Sequence, residues 1–169
     1  RPVGRGLIWM DRQAEPVCRG VLREHAEYVH HYSCNRIDPY YMLSKLVWQK
    51  QYHPQDYTRT DSYLSINGWL VYQLTGSRLM DVTNANLTQL LNVYTLNWDR
   101  GIFNRLDLNL DKMPPVVSCG TAAGIIRPEL ARLWGLPPQT VVASGCVDGS
   151  AAPLGCAVRV QPGYHADLA

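Results

Sequence analysis

The segment from Thr140 to Cys156 constrains the fold more than any other part of the chain. Residues 140–145 are β-branched, small or apolar and end at a glycine, which predicts a buried strand followed by a turn. Asp148 comes three residues after that glycine, and the small residues from Gly149 onwards predict a helix. A strand, a glycine turn, an acidic residue and a helix, in that order, are typical of an open α/β sheet, whose ligands bind at the carboxyl ends of the strands. We therefore expect an α/β fold with its chemistry at this turn.

Asp148 is the candidate catalytic residue of this segment. At the start of a helix, the helix dipole favours a negative carboxylate and nearby anions. A charged carboxylate in that place could accept the proton of a substrate hydroxyl during phosphoryl transfer. The alternative is that Asp148 only caps the helix, with its side-chain oxygen accepting backbone N–H groups. These residues by themselves leave both roles open.

The composition is that of a globular chain with little net charge. The chain has 169 residues, of which 46% are hydrophobic and 18% charged, and its formal net charge is +2. The hydrophobic share is enough for a packed core, which excludes a disordered chain. Because the basic residues are scattered, we expect no nucleic-acid partner. The apolar runs are far shorter than the roughly 20 residues of a membrane-spanning helix, so we expect no membrane partner either.

Cysteine and histidine usage bears on location and on metals. The five cysteines are odd in number and form no CxxC pair, which predicts reduced thiols and a cytoplasmic protein. We assign no metal site. The sequence leaves one alternative open, a metal cluster at a helix end formed by His25, His30, His31 and Cys34.

Helix signals are spread along the first two thirds of the chain and again near position 128. Asp38 and Pro39 supply a capping oxygen and a first-turn proline, which predict a helix start. Gly76 suits the left-handed cap at the end of one later helix, and Gly135 with the pair Pro137-Pro138 stops another. The apolar run at 7–10 predicts a buried strand. Further helices are expected to start near Asp11, Asp61, Trp98 and Pro128.

Several short segments resemble, in the same order, those of the FGGY carbohydrate kinases, the family of the xylulokinases and glycerol kinases. The run Trp9-Met10-Asp11-Arg12 is similar to the family's W-x-D-x-R-type segment, although the arginine here directly follows the aspartate. The run from Gly145 to Ala152 resembles the family's segment around its catalytic base. Other similar segments lie between them, at 38–48, 74–76, 81–86, 98–99, 113–116 and 135–137.

The resemblance implies a ribonuclease H-like (actin-like ATPase) fold and an enzyme that phosphorylates a hydroxyl of a sugar or polyol with ATP and Mg²⁺. Asp148 matches the family's catalytic base. Tyr40 matches the tyrosine that contacts glycerol in the similar glycerol kinases, and Trp9 matches a tryptophan that forms an apolar wall against the substrate. Core packing is the alternative role for both rings. Asp11 could orient sugar hydroxyls or pair with Arg12.

The resemblance also implies which part of the family's sequence this chain covers. We expect residues 1–169 to be the later part of the family's first, sugar-binding domain, a partial domain with a helical layer. The phosphate-binding strands would precede Arg1, and the second, ATP-binding domain would follow Ala169. Most groups that bind ATP and Mg²⁺ would then lie outside these residues, and the chain alone should not bind ATP productively.

Two other functions stay open at this point. One is a non-catalytic module derived from a kinase. The other is an α/β hydrolase with Ser144 or Ser150 as nucleophile, although the G-x-S-x-G turn of that class is missing. The sugar or polyol is predicted only as a class, since discrimination depends on a few pocket contacts. The sequence leaves open whether the chain forms a homodimer.

Overall fold

The first part of the chain is a helical layer. The computed structural model describes residues 1–157. The helices of this layer are α1 (Glu15–Arg19), α2 (Ala26–Ser33), α3 (Met42–Tyr52), α4 (Pro54–Arg59) and α5 (Ile66–Thr75), with a 3₁₀ turn at Val21–His25. The first three of these helices, the 3₁₀ turn and a later helix at Arg100–Arg105 contribute to a core that includes the buried side chains of Leu22, Val29, Leu43, Leu46, Leu90, Ile102 and Phe103. Helix α5 instead contacts the strands described below.

Short strands and four further helices follow this layer. The parallel pair is β1 (Met80–Asp81) with β4 (Val116–Val117). The antiparallel pairs are β2 (Leu91–Asn92) with β3 (Asn97–Trp98), and β5 (Ala122–Ile125) with β6 (Val141–Ala143). The helices are α6 (Val82–Asn86), α7 (Arg100–Arg105), α8 (Pro128–Trp134) and α9 (Asp148–Gly155), and a second 3₁₀ turn spans Leu110–Lys112. Residues 1–157 thus combine helices and strands as an α/β fold.

Local capping signals in the sequence predicted several helix ends correctly. The helix expected to start near Trp98 is α7, which Asp99 caps by accepting the N–H of Ile102 at 2.8 Å. Gly76 and Gly135 follow α5 and α8 with φ of 87° and 65°, the left-handed conformation that a glycine adopts without steric cost. These ends depend on residues within one turn, which explains why sequence patterns found them.

The strand predicted at 7–10 is wrong. This run lies in turns, and Ile8 and Trp9 are 56% and 60% exposed. A strand needs a neighbour to satisfy its backbone groups, and none of the strands described in residues 1–157 pairs with the run. The strand predicted at 140–145 exists as β6, but it is less buried than predicted, with Val141 58% exposed.

Three helix starts lie later than predicted, and two of the predicted capping residues form turns instead. Asp38 Oδ1 accepts the N–H of Tyr40 at 2.8 Å, an Asx turn, and α3 begins four residues after Asp38. Asp11 Oδ1 accepts the N–H of Gln13 in the same way, before α1. The helix predicted near Asp61 begins after Ser65, whose hydroxyl accepts the N–H of Gly68 at 3.1 Å.

Tyr63 provides a pH-dependent test of the helical layer. Its phenol is half-buried and donates a hydrogen bond to Gln49 Oε1 at 2.8 Å, and burial raises the pKa of Tyr63 from 10.0 to about 12. The folded state holds this proton more tightly than the unfolded state. The stability linked to it is therefore fully present below pH 10 and is lost as the pH rises through about 12.

We expect Tyr63→Phe to remove one late step from the alkaline absorbance titration of the tyrosines in the folded protein. Tyr94→Phe is the control for the loss of one phenol, because Tyr94 is 68% exposed. It should leave the late step in place. A late step of undiminished size in Tyr63→Phe would contradict the assignment.

Candidate functional site

Asp148 is the first residue of α9. Val147 before it is the N-cap residue and makes no side-chain cap bond. The Asp148 side chain is exposed, and its Oδ1 accepts the N–H of the adjacent Gly149 at 2.7 Å. Its carboxylate is therefore reachable from solvent at the positive end of the helix. Such a group can meet a substrate hydroxyl without rearrangement of a core.

An open space lies directly beside Asp148. Val147 and Gly149, the two neighbours of Asp148, line a cavity of about 450 Å³ between α9, α6 and the β2–β3 hairpin. Its other walls are mostly apolar and include Val82, Leu87, Leu91, Val93 and Leu96. The sequence contained no signal for this cavity, because its walls come from segments more than 50 positions apart.

Trp9 and Tyr40, which lie 31 positions apart in the sequence, come together in the structure. Their ring centroids are 5.6 Å apart, and the planes are tilted by 50°. The rings are 60% and 38% exposed, so neither is part of a buried core. A solvent-facing aromatic pair offers a ligand an apolar surface with a polar edge. In residues 1–157, no hydrogen bond or ring contact joins this pair to Asp148.

Lys45 holds the two aromatic segments together, and sequence reasoning missed this role. Its Nζ donates to the backbone carbonyls of Asp11 at 3.3 Å and Tyr40 at 3.2 Å, and also to that of Pro39. Burial lowers the pKa of Lys45, and the nearby carboxylates of Asp11 and Asp38 oppose that shift. The only signal in the sequence was the place of Lys45 within the similar segment at 38–48.

Asp11 makes local contacts. Its carboxylate accepts the backbone N–H of Gln13 at 2.9 Å and the side-chain Nε2 of Gln13 at 2.8 Å, and the backbone bond is the main reason that the pKa of Asp11 is lowered. The alternative of a pair with Arg12 is wrong. Arg12 bonds instead to Glu15 at 2.9 Å and to Asp38 at 3.4 Å, which links the start of α1 to the turn that carries Tyr40.

Ser144 and Ser150 differ in their surroundings. Ser144 is fully buried, and its hydroxyl donates to the carbonyl of Ser118 at 3.1 Å. Among the contacts of the described residues, neither serine has a histidine as hydrogen-bond partner. A nucleophile needs a base within hydrogen-bond reach, so this geometry does not support a hydrolase site.

Residues 1–157 hold neither a candidate metal cluster nor a candidate membrane helix. These residues contain no group of three or more His, Cys, Asp or Glu side chains that could hold a metal ion. In the alternative cluster at the helix end, the ring of His31 packs on Tyr32 and Tyr94, at centroid distances of 4.7 Å and 5.7 Å. Within the same range, no helix combines the length and the hydropathy that crossing a bilayer requires.

Comparison with known proteins identifies the relatives of this chain. The family described as "FGGY family of carbohydrate kinases, N-terminal domain" matches residues 1–155. A glycerol kinase of Janthinobacterium sp. (strain Marseille) is 29% identical over 168 residues, which cover 96% of this chain and 32% of the relative. A xylulose kinase of Bacillus subtilis (strain 168) is 24% identical over 152 residues, which cover 90% of this chain and 30% of the relative.

The fold has counterparts among solved structures. The crystal structure of Plasmodium falciparum glycerol kinase with ADP matches with a TM-score of 0.82 at 23% identity, covering 93% of this chain and 32% of that one. This match confirms the fold of the sugar kinases, the ribonuclease H-like fold predicted above. The chain spans about a third of the length of the curated relatives it matches.

Proposed function

This chain belongs to the FGGY family of carbohydrate kinases, and we propose that it forms the sugar-binding part of an enzyme that transfers a phosphoryl group from ATP to a hydroxyl of a sugar or polyol. The observation that carries the proposal is the exposed carboxylate of Asp148 at the start of α9, beside an open cavity. Relatives named glycerol kinase and xylulose kinase support the substrate class.

Asp148 is the general base of the proposed reaction. The substrate hydroxyl gives its proton to a carboxylate oxygen of Asp148 as its own oxygen bonds to the γ-phosphorus of ATP. The bond from that phosphorus to the bridging oxygen breaks, and ADP leaves. Phosphoryl transfer depends mainly on positioning and charge stabilisation. The contribution of Asp148 is therefore to hold the hydroxyl in line and take its proton at the moment of transfer.

Trp9 and Tyr40 are the proposed apolar wall of the sugar site. Their tilted, exposed rings would cover carbon–hydrogen faces of the substrate, and the Tyr40 hydroxyl would bond to one of its oxygens. Asp11 is the weaker candidate, because its carboxylate is already bonded to Gln13. If Asp11 contributes, it does so through its backbone carbonyl, which helps to hold Lys45.

ATP is the phosphoryl donor that the family implies, and ADP is present in one solved relative. In residues 1–157, Asp148 is not part of a set of three metal-ligating side chains, so this part of the chain does not fit Mg²⁺ as a metal held by the protein alone. The proposed roles of this part of the chain are proton transfer and sugar contacts. The five free thiols fit an enzyme of the cytoplasm, where ATP is also supplied.

The test of the proposed function is an assay of a chain of full family length that carries this sequence. With ATP present, we expect ADP to form when glycerol, xylulose or another polyol or ketose is added, and not without it. The 169-residue chain by itself should give no turnover. If no sugar or polyol stimulates ADP formation by the longer chain, the kinase proposal fails and a non-catalytic module is favoured.

Lys45→Met is a specific test of the aromatic wall. We expect the KM for the sugar to rise about tenfold, with a smaller change in kcat, because a charged hydrogen-bond donor to three carbonyls is lost. The measurement is initial-rate kinetics against sugar concentration. Lys112→Met is the matched control, since Lys112 also bonds to backbone carbonyls, those of Thr58 and Thr60. Equal KM values for the two variants would contradict the role of Lys45.

A further inference from the structure

Asp81 is the buried centre of a partly buried polar network. Its side chain is 0% exposed and caps α6, accepting the N–H groups of Thr83 and Asn84, each at 3.1 Å. It also accepts the side-chain Nδ2 of Asn84 at 2.7 Å, Nδ2 of Asn67 at 3.1 Å and the hydroxyl of Thr83. A helix cap needs only one or two of these bonds. The remaining contacts, to the side chains of Asn67, Thr83 and Asn84, are not needed for capping.

Two of these partners, Asn67 and Thr83, also form hydrogen bonds with the turn that precedes Asp148. Asn67 Nδ2 also donates to the carbonyl of Ser144 at 2.7 Å. Thr83 Oγ1 accepts the N–H of Val147 at 2.9 Å. The network therefore holds both ends of the four-residue turn 144–147.

The charge of Asp81 determines how these partners are oriented. An ionised carboxylate only accepts hydrogen bonds, so the Thr83 hydroxyl must donate to it and turn a lone pair towards Val147. For the same reason the Asn67 amide must present its NH₂ group to Asp81, which leaves its second hydrogen for Ser144. Asp81 thus specifies the two bonds that hold the turn, although it does not touch the turn backbone itself.

The turn packs closely against this network and leads directly into α9. Gly145 has φ of 76°, and a Cβ there would lie 3.3 Å from the Asn67 amide. The carbonyl of Val147 accepts the N–H groups of Ser150 at 3.0 Å and Ala151 at 2.9 Å, the first bonds of α9. With its N–H on Thr83 and its carbonyl in the helix, Val147 has little freedom. Asp148 is the next residue.

We propose that Asp81, acting through Thr83 and Asn67, is a positioning residue that places Asp148 for proton transfer. The inference rests on the proposed function, because it assigns to Asp81 the orientation of the proposed base. It adds a requirement from outside the aromatic wall: turnover depends on a partly buried network more than 60 positions away from Asp148 in the sequence.

Thr83→Val tests the proposal in the chain of full family length. Valine has nearly the shape of threonine but cannot accept the N–H of Val147. A shift of about 1 Å at a catalytic group can cost up to about 100-fold, so we expect kcat to fall by roughly 30- to 100-fold. The KM for the sugar should stay within about twofold, because the aromatic wall is not altered.

Three further variants separate positioning from a general loss of structure. Thr83→Ser keeps the hydroxyl and should recover kcat to within about threefold of the parent. Thr75→Val is the matched control, because the Thr75 hydroxyl also donates and accepts, to Val71 and from Ser77, without reaching the turn. It should not lower kcat. Asn67→Leu removes the other bond to the turn, from Asn67 to Ser144, and should show the same loss of kcat as Thr83→Val. The two variants are independent, so the test remains valid if one of them fails to fold.

The decisive measurement combines Thr83→Val with Asp148→Asn. If Thr83 acts through Asp148, the double variant should have the same kcat as Asp148→Asn alone, because effects of residues that act as a unit do not add. A further loss of kcat in the double variant, or a kcat of Thr83→Val equal to that of Thr75→Val, would overturn the positioning role. Neither result would contradict Asp148 as the general base. Full turnover in Asp148→Asn overturns the proposed base, and the inference with it.

Discussion

Replacing Asp148 with asparagine is expected to lower kcat for sugar phosphorylation by about 10³-fold, with the KM for the sugar within about twofold of the parent. Asparagine has the same shape and keeps an oxygen that can bond to Gly149, but its amide cannot take a proton at neutral pH. The hydroxyl must then attack while it still holds its proton. The measurement is the initial rate of ADP formation by the chain of full family length, over a range of sugar concentrations.

Asp107→Asn is the control for the loss of one exposed carboxylate. The Asp107 side chain is 98% exposed and pairs with Lys50 at 2.7 Å, away from α9. We expect its kinetics to match those of the parent. Near-normal turnover in Asp148→Asn would show that the proton leaves by another route and would refute the assignment of the base.

The second large effect concerns stability. We expect Asp81→Ala to lower the free energy of unfolding by about 3 kcal/mol, because it removes the cap of α6 and leaves several partly buried donors without an acceptor. Those donors belong to Thr83, Asn84 and Asn67. The measurement is urea unfolding followed by tryptophan fluorescence, with the midpoint and slope compared to those of the parent.

Asp61→Ala is the matched control for this effect. Asp61 pairs with Arg78, but its side chain is 78% exposed, and such surface pairs contribute less than about 1 kcal/mol. The large difference expected between the two alanine variants follows from the burial of Asp81 and from the α6 cap that only Asp81 supplies. Equal losses in both would contradict the view that the Asp81 network is a structural unit of this part of the fold.

The sequence determined those features that depend on near neighbours. The helix ends at Gly76 and Gly135 and the helix start near Trp98 lie where the patterns predicted them, because each involves bonds within one helical turn. The same holds for α9 and for the place of Asp148 at its start. The ordered series of short motifs also identified the family, since motif order is a property of the chain and needs no coordinates.

The tertiary structure alone decided which of these residues meet. The bonds of Asn67 to Ser144 and of Thr83 to Val147 span 77 and 64 positions, and no local pattern encodes such partners. The same limit explains the errors at 7–10 and in the burial of β6. Hydrophobicity marks a segment as able to be buried, but whether it is buried depends on which neighbours the fold places against it. The organising roles of Lys45 and Asp81 follow only from the tertiary structure, because it brings Lys45 to the carbonyl of Asp11 and Asp81 to the amide of Asn67.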